Sequence, residues 1–584
     1  MKQPVIIGGA SGFWGEADYA SAQLLAHPGL NYLVYDYLAE VTMSIMARAR
    51  AKNADMGYAV DFISAVMAPN LATIADKGVQ VLSNAGGVNP TACAAALQAE
   101  ISRQGLSLKV AVVEGDDLIA RKAEFAEHKE MFSGEVFPNP DKVASVNAYL
   151  GAGPIIAALD AGADIVVTGR VTDSALALAA AAHHFGWGDG DYDLLAAGSL
   201  VGHLLECGPQ STGGNFTDWR DVGDISDIGY PIAEVSADGS FVISKPDGTG
   251  GIVSRATVAE QMLYEIGNPQ SYLLPDVACD FSEVEITEIG VDRVHVSGTK
   301  GRAPSGKLKV SVTYMDGFRA GHVFQFSGAG AREKAQSFME TGIARARKKL
   351  RAMNAPDFDE VVVETHGGRP GDGPFEEITA KAAVKHTDAR AVGLFLKETI
   401  GAALATPPGL HFFTAGGRPK PSPVLRLFSF LIDAGQVPVI VTVDGVAVKY
   451  TPAGQIGEVL PEAHAVPVAA TDQQMRVVRL EELACARSGD KGDSANIGVI
   501  ARRAEYLPWI WQSIDEAAIA AAFAAFSKGE ISRFYLPGTA AMNILMSKVL
   551  GGGGVASLLN DPQGKAYGQI LLNLPVEIPA GFDV

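Results

Sequence analysis

Five short apolar runs, each closed by a polar or glycine tip, constrain this chain more than any other feature. They are VIIGG from Val5, YLVYDYL from Tyr32, VQVLSN from Val79, LKVAVVEG from Leu108 and DIVVTG from Asp164. Each is rich in β-branched residues and apolar at successive positions, as a strand buried on both faces must be. Alanine-rich stretches of helical length separate them, among them ADYASAQLLAH and PTACAAALQAEISRQ. This alternation predicts an α/β ligand-binding domain over 1–224, a parallel sheet with helices on both faces. The tips are Ser11, Asp36, Asn84, Glu114 with Asp116 and Asp117, and Arg170 with Asp173. A parallel sheet lines them along one edge beside helix N-termini, where such folds bind ligands.

Beyond about Ile225 the pattern changes. AEVSADGSFVIS alternates on either side of Asp238-Gly239, a hairpin signature. VEITEIGVDRVHVSG and LKVSVTYMDGFRAGHVFQFSG read as two further hairpins. A helix (AREKAQSFMETGIARARKKL), a strand (EVVVETHG) and a helix near 388–404 follow. An α+β middle domain with antiparallel hairpins is expected over 225–449. The Pro/Ala-rich stretch 450–474 reads as a linker. Residues 475–584 read as a small α+β domain, with strands in VVRLEELACAR, NIGVIARR and GQILLNLPVEI and helices in SIDEAAIAAAFAAF and AAMNILMSKVL.

Composition removes several functional classes. At 584 residues the chain is too long for one typical core. A formal net charge of -19 repels a phosphate backbone, so no nucleic-acid partner is expected. No apolar run is long enough to span a bilayer, and MKQPVIIGGASG reads as a first strand, not a signal peptide. Cys93, Cys207, Cys279 and Cys485 are far apart, with no C-x-x-C pair. That pattern indicates neither a zinc ribbon nor a disulfide framework, and it fits a reducing cytoplasm.

Four constellations carry the candidate chemistry. The first is Gly9-Ala10-Ser11-Gly12-Phe13-Trp14-Gly15, directly after the first strand. Its glycines could let backbone approach a phosphate, and Asp36 falls where a dinucleotide fold places its ribose-binding acid. A short-chain dehydrogenase also needs Tyr-x-x-x-Lys, and no Tyr here has Lys four residues on. The second is Arg170 with Asp173 and Ser174. The guanidinium could fix a carboxylate or phosphate, while Asp173 could act as a base or merely cap a helix. The third is His203-x-x-Glu206-Cys207: residues three apart share a helix face and can form an acid/base pair. Gln210 to Asn215 close that unit, and the amides of Gly213 and Gly214 could hold an oxyanion. Cys207 is a nucleophile only if something lowers its pKa.

The fourth and most distinctive constellation is Arg487-Ser488-Gly489-Asp490-Lys491-Gly492-Asp493-Ser494-Ala495-Asn496. A plain hairpin does not need Asp, Lys, Asp, Ser and Asn in a row. Lys491 could bind an anion. Asp490 and Asp493 could hold Mg²⁺ through water, although two carboxylates are too few to indicate a metal site. No Walker A, H-E-x-x-H, EF-hand or G-x-S-x-G motif is present. His183-His184 closes an apolar helix, and His366 lies in a further glycine-rich loop, ETHGGRPGDG.

VVTGRVTDSALALA, HLLECGPQSTGGNFTDW and CARSGDKGDSANIGVIARR, with the opening GGASGFWGE, resemble the acyclic terpene utilisation protein A (AtuA-like) family over the whole chain. The resemblance implies a bacterial cytoplasmic protein of branched terpenoid-acid breakdown, acting on citronellate- or geraniate-type acids as CoA thioesters. It supplies no catalytic residue. Together the residues and the resemblance lead to an enzyme acting on an anionic acyl-CoA or carboxylate, of lyase or hydratase type. Arg170, Asp173, His203, Glu206 and Asp493 are its candidate catalytic residues. Gly9, Ser11, Gly12, Gly15, Asn84, Gly213, Gly214, Asn215 and Lys491 are its candidate ligand-binding residues. A non-catalytic acyl-CoA-binding or assembly protein and a nucleotide-dependent oxidoreductase stay open as alternatives. A homo-oligomer is expected, with the late loop completing a site.

Overall fold

The computed structural model describes residues 2–16, 18–368, 376–412, 419–452, 456–457, 464–469, 474–554 and 556–582. Much of the 450–474 stretch expected to be a linker therefore lies outside the described residues. The chain forms two compact units. One comprises Met1–Thr313, Phe428–Val549 and Gly564–Val584; the other comprises Tyr314–Leu427 and Leu550–Gln563.

An eleven-stranded sheet organises the first unit. Its centre is Val5–Gly9, Tyr32–Tyr35, Gln80–Ser83, Ile165–Thr168 and Val110–Glu114, in that spatial order and all parallel. These are the five apolar runs of the sequence. Leu33, Val81, Ile165 and Val167 point to one face, against helices that contribute Leu24, Met46, Leu71 and Leu97. Helices Gly153–Asp160 and Ala175–Phe185 pack on the other side. Both faces are thus dry, and each fully buried Leu, Ile or Val contributes about 1.5–3 kcal/mol.

Antiparallel strands extend the sheet at both ends. Ile232–Val235 pairs with Val5–Gly9. Phe241–Ser244 and the hairpin of Glu285–Gly290 with Arg293–Ser297 continue outward from it. Both hairpins form where the sequence places them, but they join the first sheet. Alternation specifies which face of a strand is apolar; it does not specify which sheet the strand enters.

LKVSVTYMDGFRAGHVFQFSG is not a hairpin. It is one 21-residue strand, Lys307–Ser327, with Gly317 at φ 85° taking the bend that suggested a turn. The strand does not fold back because its halves find other partners. Val143–Ala148 lies beside the first half, and Glu377–His386 pairs with Phe318–Ser327. In the second unit, helices Ala331–Ala352 and Ala389–Gly401 cover this sheet through Phe338, Ile343, Val392 and Phe395.

The C-terminal part of the first unit carries a four-stranded antiparallel sheet. Its order is Ala484–Lys491, Ser494–Ala501, Ala541–Met546 and Ile531–Leu536. AAMNILMSKVL, expected to be a helix, supplies the strand Ala541–Met546. A short, almost wholly apolar run has no usable periodicity, and here it is an inner strand buried at all but one position. Helix Arg255–Leu263, closed at its start by a Ser254/Thr257 capping box, packs between this sheet and helix Tyr192–Leu205. Among the described residues, no helix is long and apolar enough to cross a membrane.

Candidate functional site

The parallel strands end in a set of buried turns, the Gly169-Arg170 turn among them. A side chain at Gly169 would meet the Asp116 carboxylate at 2.1 Å, so only glycine admits that group. Asp116 accepts the Arg170 backbone N–H and an Asn147 amide N–H, both at 2.9 Å. Burial pushes its carboxyl up to about 7. The Arg170 side chain is 3% exposed. Its Nη1 donates to Leu38 O at 2.9 Å and to Asp173 Oδ1 at 2.6 Å, and its guanidinium lies 4.2 Å over the Tyr149 ring. Within the protein, the carboxylate that the Arg170 guanidinium holds is Asp173. Asp173 is no helix cap: Ser174 occupies that position, without a side-chain cap bond.

Around this turn lie Asp36 and Glu40. Asp36 accepts from the Asn84 amide, whose oxygen takes the Tyr37 N–H at 2.7 Å; Ser11 Oγ donates to Asp36 O at 3.2 Å. Burial and then the Asp173 charge push the Asp36 carboxyl well above its usual range. Glu40 goes the other way. Burial would raise it, but Lys309, Arg170 and the Tyr149 hydroxyl, donating at 2.6 Å, hold it well below that range.

His203 and Glu206 meet as their spacing predicts, Nδ1 to Oε1 at 3.0 Å. They close the helix Tyr192–Leu205, where Gly202 lets the chain approach the Ser174 backbone. His203 is 3% exposed, and its second nitrogen, Nε2, has no partner in the protein. Burial raises the Glu206 carboxyl against the opposing pull of His203. Burial, with Glu206 and Glu265 nearby, also raises the Cys207 thiol, which disfavours a thiolate nucleophile there.

The late loop reaches the same place. Arg487 and Glu260, 5% and 0% exposed, form an ion pair at 3.0 Å that ties the C-terminal sheet to helix Arg255–Leu263. Arg487 also donates to Gly214 O at 2.9 Å. From that anchor the strand carries Lys491 into the cluster. Burial works against its ammonium, and Tyr272, Glu265, Asp173 and Glu206 more than offset it, so the charge is retained. Lys491 Nζ lies 5.6 Å from the Tyr272 ring centre, and the same ring faces His203 at 6.4 Å. Asp490 is raised to about 6 by burial and by Glu265, against Lys565. Lys565 Nζ reaches Glu265 at 2.7 Å and Asp490 at 3.4 Å.

Residues 5–443 match the acyclic terpene utilisation family, protein AtuA. The chain belongs to this family. Residues 478–577 match the AtuA ferredoxin-like domain, so the late loop is contributed by that domain. Cys485 is the single cysteine in this stretch, whereas an iron–sulfur cluster takes four cysteine ligands. No curated protein and no solved structure matches the chain. Among the described residues, no group of three His, Cys, Asp or Glu side chains is arranged to hold a metal ion.

Two glycine-rich stretches of this family member do other work than expected. A side chain at Gly9 would meet Leu205 O at 2.6 Å, and one at Gly12 would meet the Cys207 backbone at 2.7 Å. The Gly12 N–H is taken by Glu16 at 2.5 Å, and Glu16 also accepts from Tyr230 at 2.7 Å. The loop up to Gly15 is thus closed over its own carboxylate instead of cradling a phosphate. The amides of Gly213 and Gly214 donate to Gln210 O and Pro209 O, at 3.4 and 2.9 Å, so neither is open to an oxyanion. Asn215 is exposed, with φ 55°. Asp493 sits at the hairpin turn, where its carbonyl accepts Val549 N–H at 3.0 Å, and it is not among the principal charges on Glu206 or Lys491. His183 pairs with Asp160 at 2.8 Å, away from the cluster. His366 contacts Asn560 in the second unit, and 369–375 of its loop lie outside the described residues.

Sequence reasoning missed Glu40, Tyr149, Glu265, Tyr272, Lys309 and Lys565. Glu265 has φ 57°, rare for such a residue, and its N–H is held by Asn496 Oδ1 at 2.9 Å. Nothing in YEIGN announces that conformation. Lys565, following Gly564 in PQGKAYG, carried the one usable signal: a lone cation after a glycine.

Proposed function

We propose that this protein is an enzyme of acyclic terpenoid breakdown that transfers protons on an acyl thioester or free carboxylate, in hydratase or lyase chemistry. One observation carries this reading: a buried imidazole fixed at Nδ1 by Glu206 and left without a protein partner at Nε2. A carboxylate that accepts the Nδ1 proton sets the tautomer and leaves Nε2 with its lone pair as a base. In hydration of an α,β-unsaturated thioester, His203 Nε2 takes a proton from water as the water oxygen bonds to the β-carbon and the Cα=Cβ π bond breaks; the imidazolium then gives that proton to the α-carbon and regenerates the base. The thioester oxygen gains charge in between, and the retained Lys491 ammonium is the group suited to stabilise it. Arg170 supports this as a positioning residue through Asp173.

The charge distribution supports an anionic ligand: Arg170, Lys309, Lys491 and Lys565 stand among the carboxylates of Glu40, Asp173, Glu265 and Asp490, and burial works against the charged forms of Asp36 and Glu206.

The test is incubation of the full chain with citronellyl- and geranyl-type CoA thioesters, free acids and their unsaturated or hydroxylated derivatives, followed by mass. Turnover is expected, with His203→Ala slower by about 10²–10⁴ and Lys491→Met by about 10²–10³, both folded by circular dichroism. Full activity in either variant would overturn the assignment of that residue. Tight binding without turnover of any thioester would replace the enzyme by a binding protein.

A further inference from the structure

We propose that one water molecule, bound in a cavity beneath Arg170, is a fixed component of this site. The cavity holds about 10 Å³ of room, enough for a single water. Three of the residues that line it each carry a buried polar atom with no partner within the protein: Arg170 Nε, Asn147 Oδ1 and Ser311 Oγ. Their residues are 3%, 2% and 6% exposed, so bulk solvent does not serve them. The other polar groups there are satisfied. Ser145 Oγ and Thr313 Oγ1 bond each other at 2.6 Å, and Tyr149 donates to Glu40. Three unpaired buried polar atoms on residues that line one small space are rare in a folded protein, and each is costly alone.

The chemistry of the three atoms selects the occupant. Arg170 Nε–H can only donate, Asn147 Oδ1 can only accept, and the Ser311 hydroxyl can do either. An ammonium ion cannot accept from Arg170. A halide cannot donate to Asn147. A water molecule does both and has a third bond left for Ser311, the usual number for an internal water.

Such a water has a mechanical consequence. Asn147 Nδ2 donates to Asp116, and Asp116 accepts the Arg170 backbone N–H. The water therefore closes a ring from the Arg170 guanidinium through Asn147 and Asp116 back to the Arg170 main chain. Leu38 O and Asp173 hold the guanidinium at Nη1, and Tyr149 holds its face. The Nε edge is the part the water pins, which keeps the carboxylate of Asp173 in place. This holds whatever the ligand is.

Magnetic relaxation dispersion of water deuterons and oxygen-17 counts long-lived internal waters. Ser311→Val removes the hydroxyl and fills the space, so the full-length variant should hold one fewer such water than wild type. The Arg170 Nε–H resonance should show cross-relaxation with water in wild type and lose it in the variant. A crystal structure of the wild type should place one solvent peak within hydrogen-bond distance of all three atoms. Equal water counts in the two proteins, or a wild-type crystal structure with no density at that point, would overturn the proposal. If Ser311→Val does not fold, the wild-type crystal structure and the Arg170 resonance decide it.

Discussion

Two glycine-rich loops of the first unit look alike in sequence and do opposite work. Gly9 to Glu16 folds onto Leu205–Gly208 and fills its own anion position with Glu16. Ser488 to Asn496 is pinned at one end by Arg487–Glu260 and delivers Asp490 and Lys491 to a cluster of charges. Glycine permits close approach, but it does not say to what. In the first loop the approaching partner is the protein's own backbone. In the second, the glycines alternate with charges that the fold leaves facing other charges.

The largest effect expected from breaking this contrast is at the late loop's anchor. Arg487→Ala leaves Glu260 buried at 0% exposure with its charge unpaired. Loss of one partner of such a pair costs about 3–5 kcal/mol. Urea unfolding should show that loss. A double change of Arg487 and Glu260 to Met should recover most of it, because the penalty belongs to the stranded charge. Recovery failing in the double variant would mean that the loop is held by something else.

Next in size is Gly12→Ala. The new Cβ would sit 2.7 Å from the Cys207 and Gly208 backbone, which cannot rotate away. Overpacking of this sort costs about 3 kcal/mol, read as a fall in the urea midpoint. Ligand binding, where the protein still folds, should be less affected than stability.

A smaller effect comes from Asp490. Its folded pKa, raised to about 6 mainly by burial, lies above the value of about 4 for an unfolded aspartate. The folded state thus holds an extra proton between those values, and stability falls as pH rises through that window and is level above it. With the side chain 23% exposed and Lys565 alongside, the total is about 1–2 kcal/mol. Asp490→Asn should flatten the fall between pH 4 and 6 and leave the variant the more stable protein above it. A profile of unchanged slope would show that Asp490 is solvated.

What the sequence made legible follows from how each feature is encoded. The five parallel strands were visible because both of their faces are buried, and such runs admit little else. His203 and Glu206 were visible because a helix fixes residues three apart on one face. The fates of Ile232–Val235 and Glu285–Gly290 were not, since their alternation is the same in either sheet. Glu265 was hidden because its left-handed backbone depends on Asn496, 231 residues away. The convergence of Lys491 on Asp173 and Glu206 was hidden for the same reason: it rests on contacts between distant segments, the Arg487–Glu260 ion pair among them.

The smallest effect provides the control for the loop contrast. Gly492 has φ 66° with nothing within 4 Å of where a side chain would stand, and Gly15 in the first loop has φ 91° in equally open space. At both positions the need is conformational alone, so alanine should cost about 1 kcal/mol. Asparagine at Gly492 should recover much of it, since its side chain tolerates the left-handed region. The informative comparison is then within the first loop, Gly12→Ala against Gly15→Ala, measured by urea unfolding in the same buffer. A clear excess for Gly12 means that the loop is seated on the chain behind it. Equal costs would mean that the seat is loose, that Glu16 can be displaced, and that an anion could enter the first loop after all.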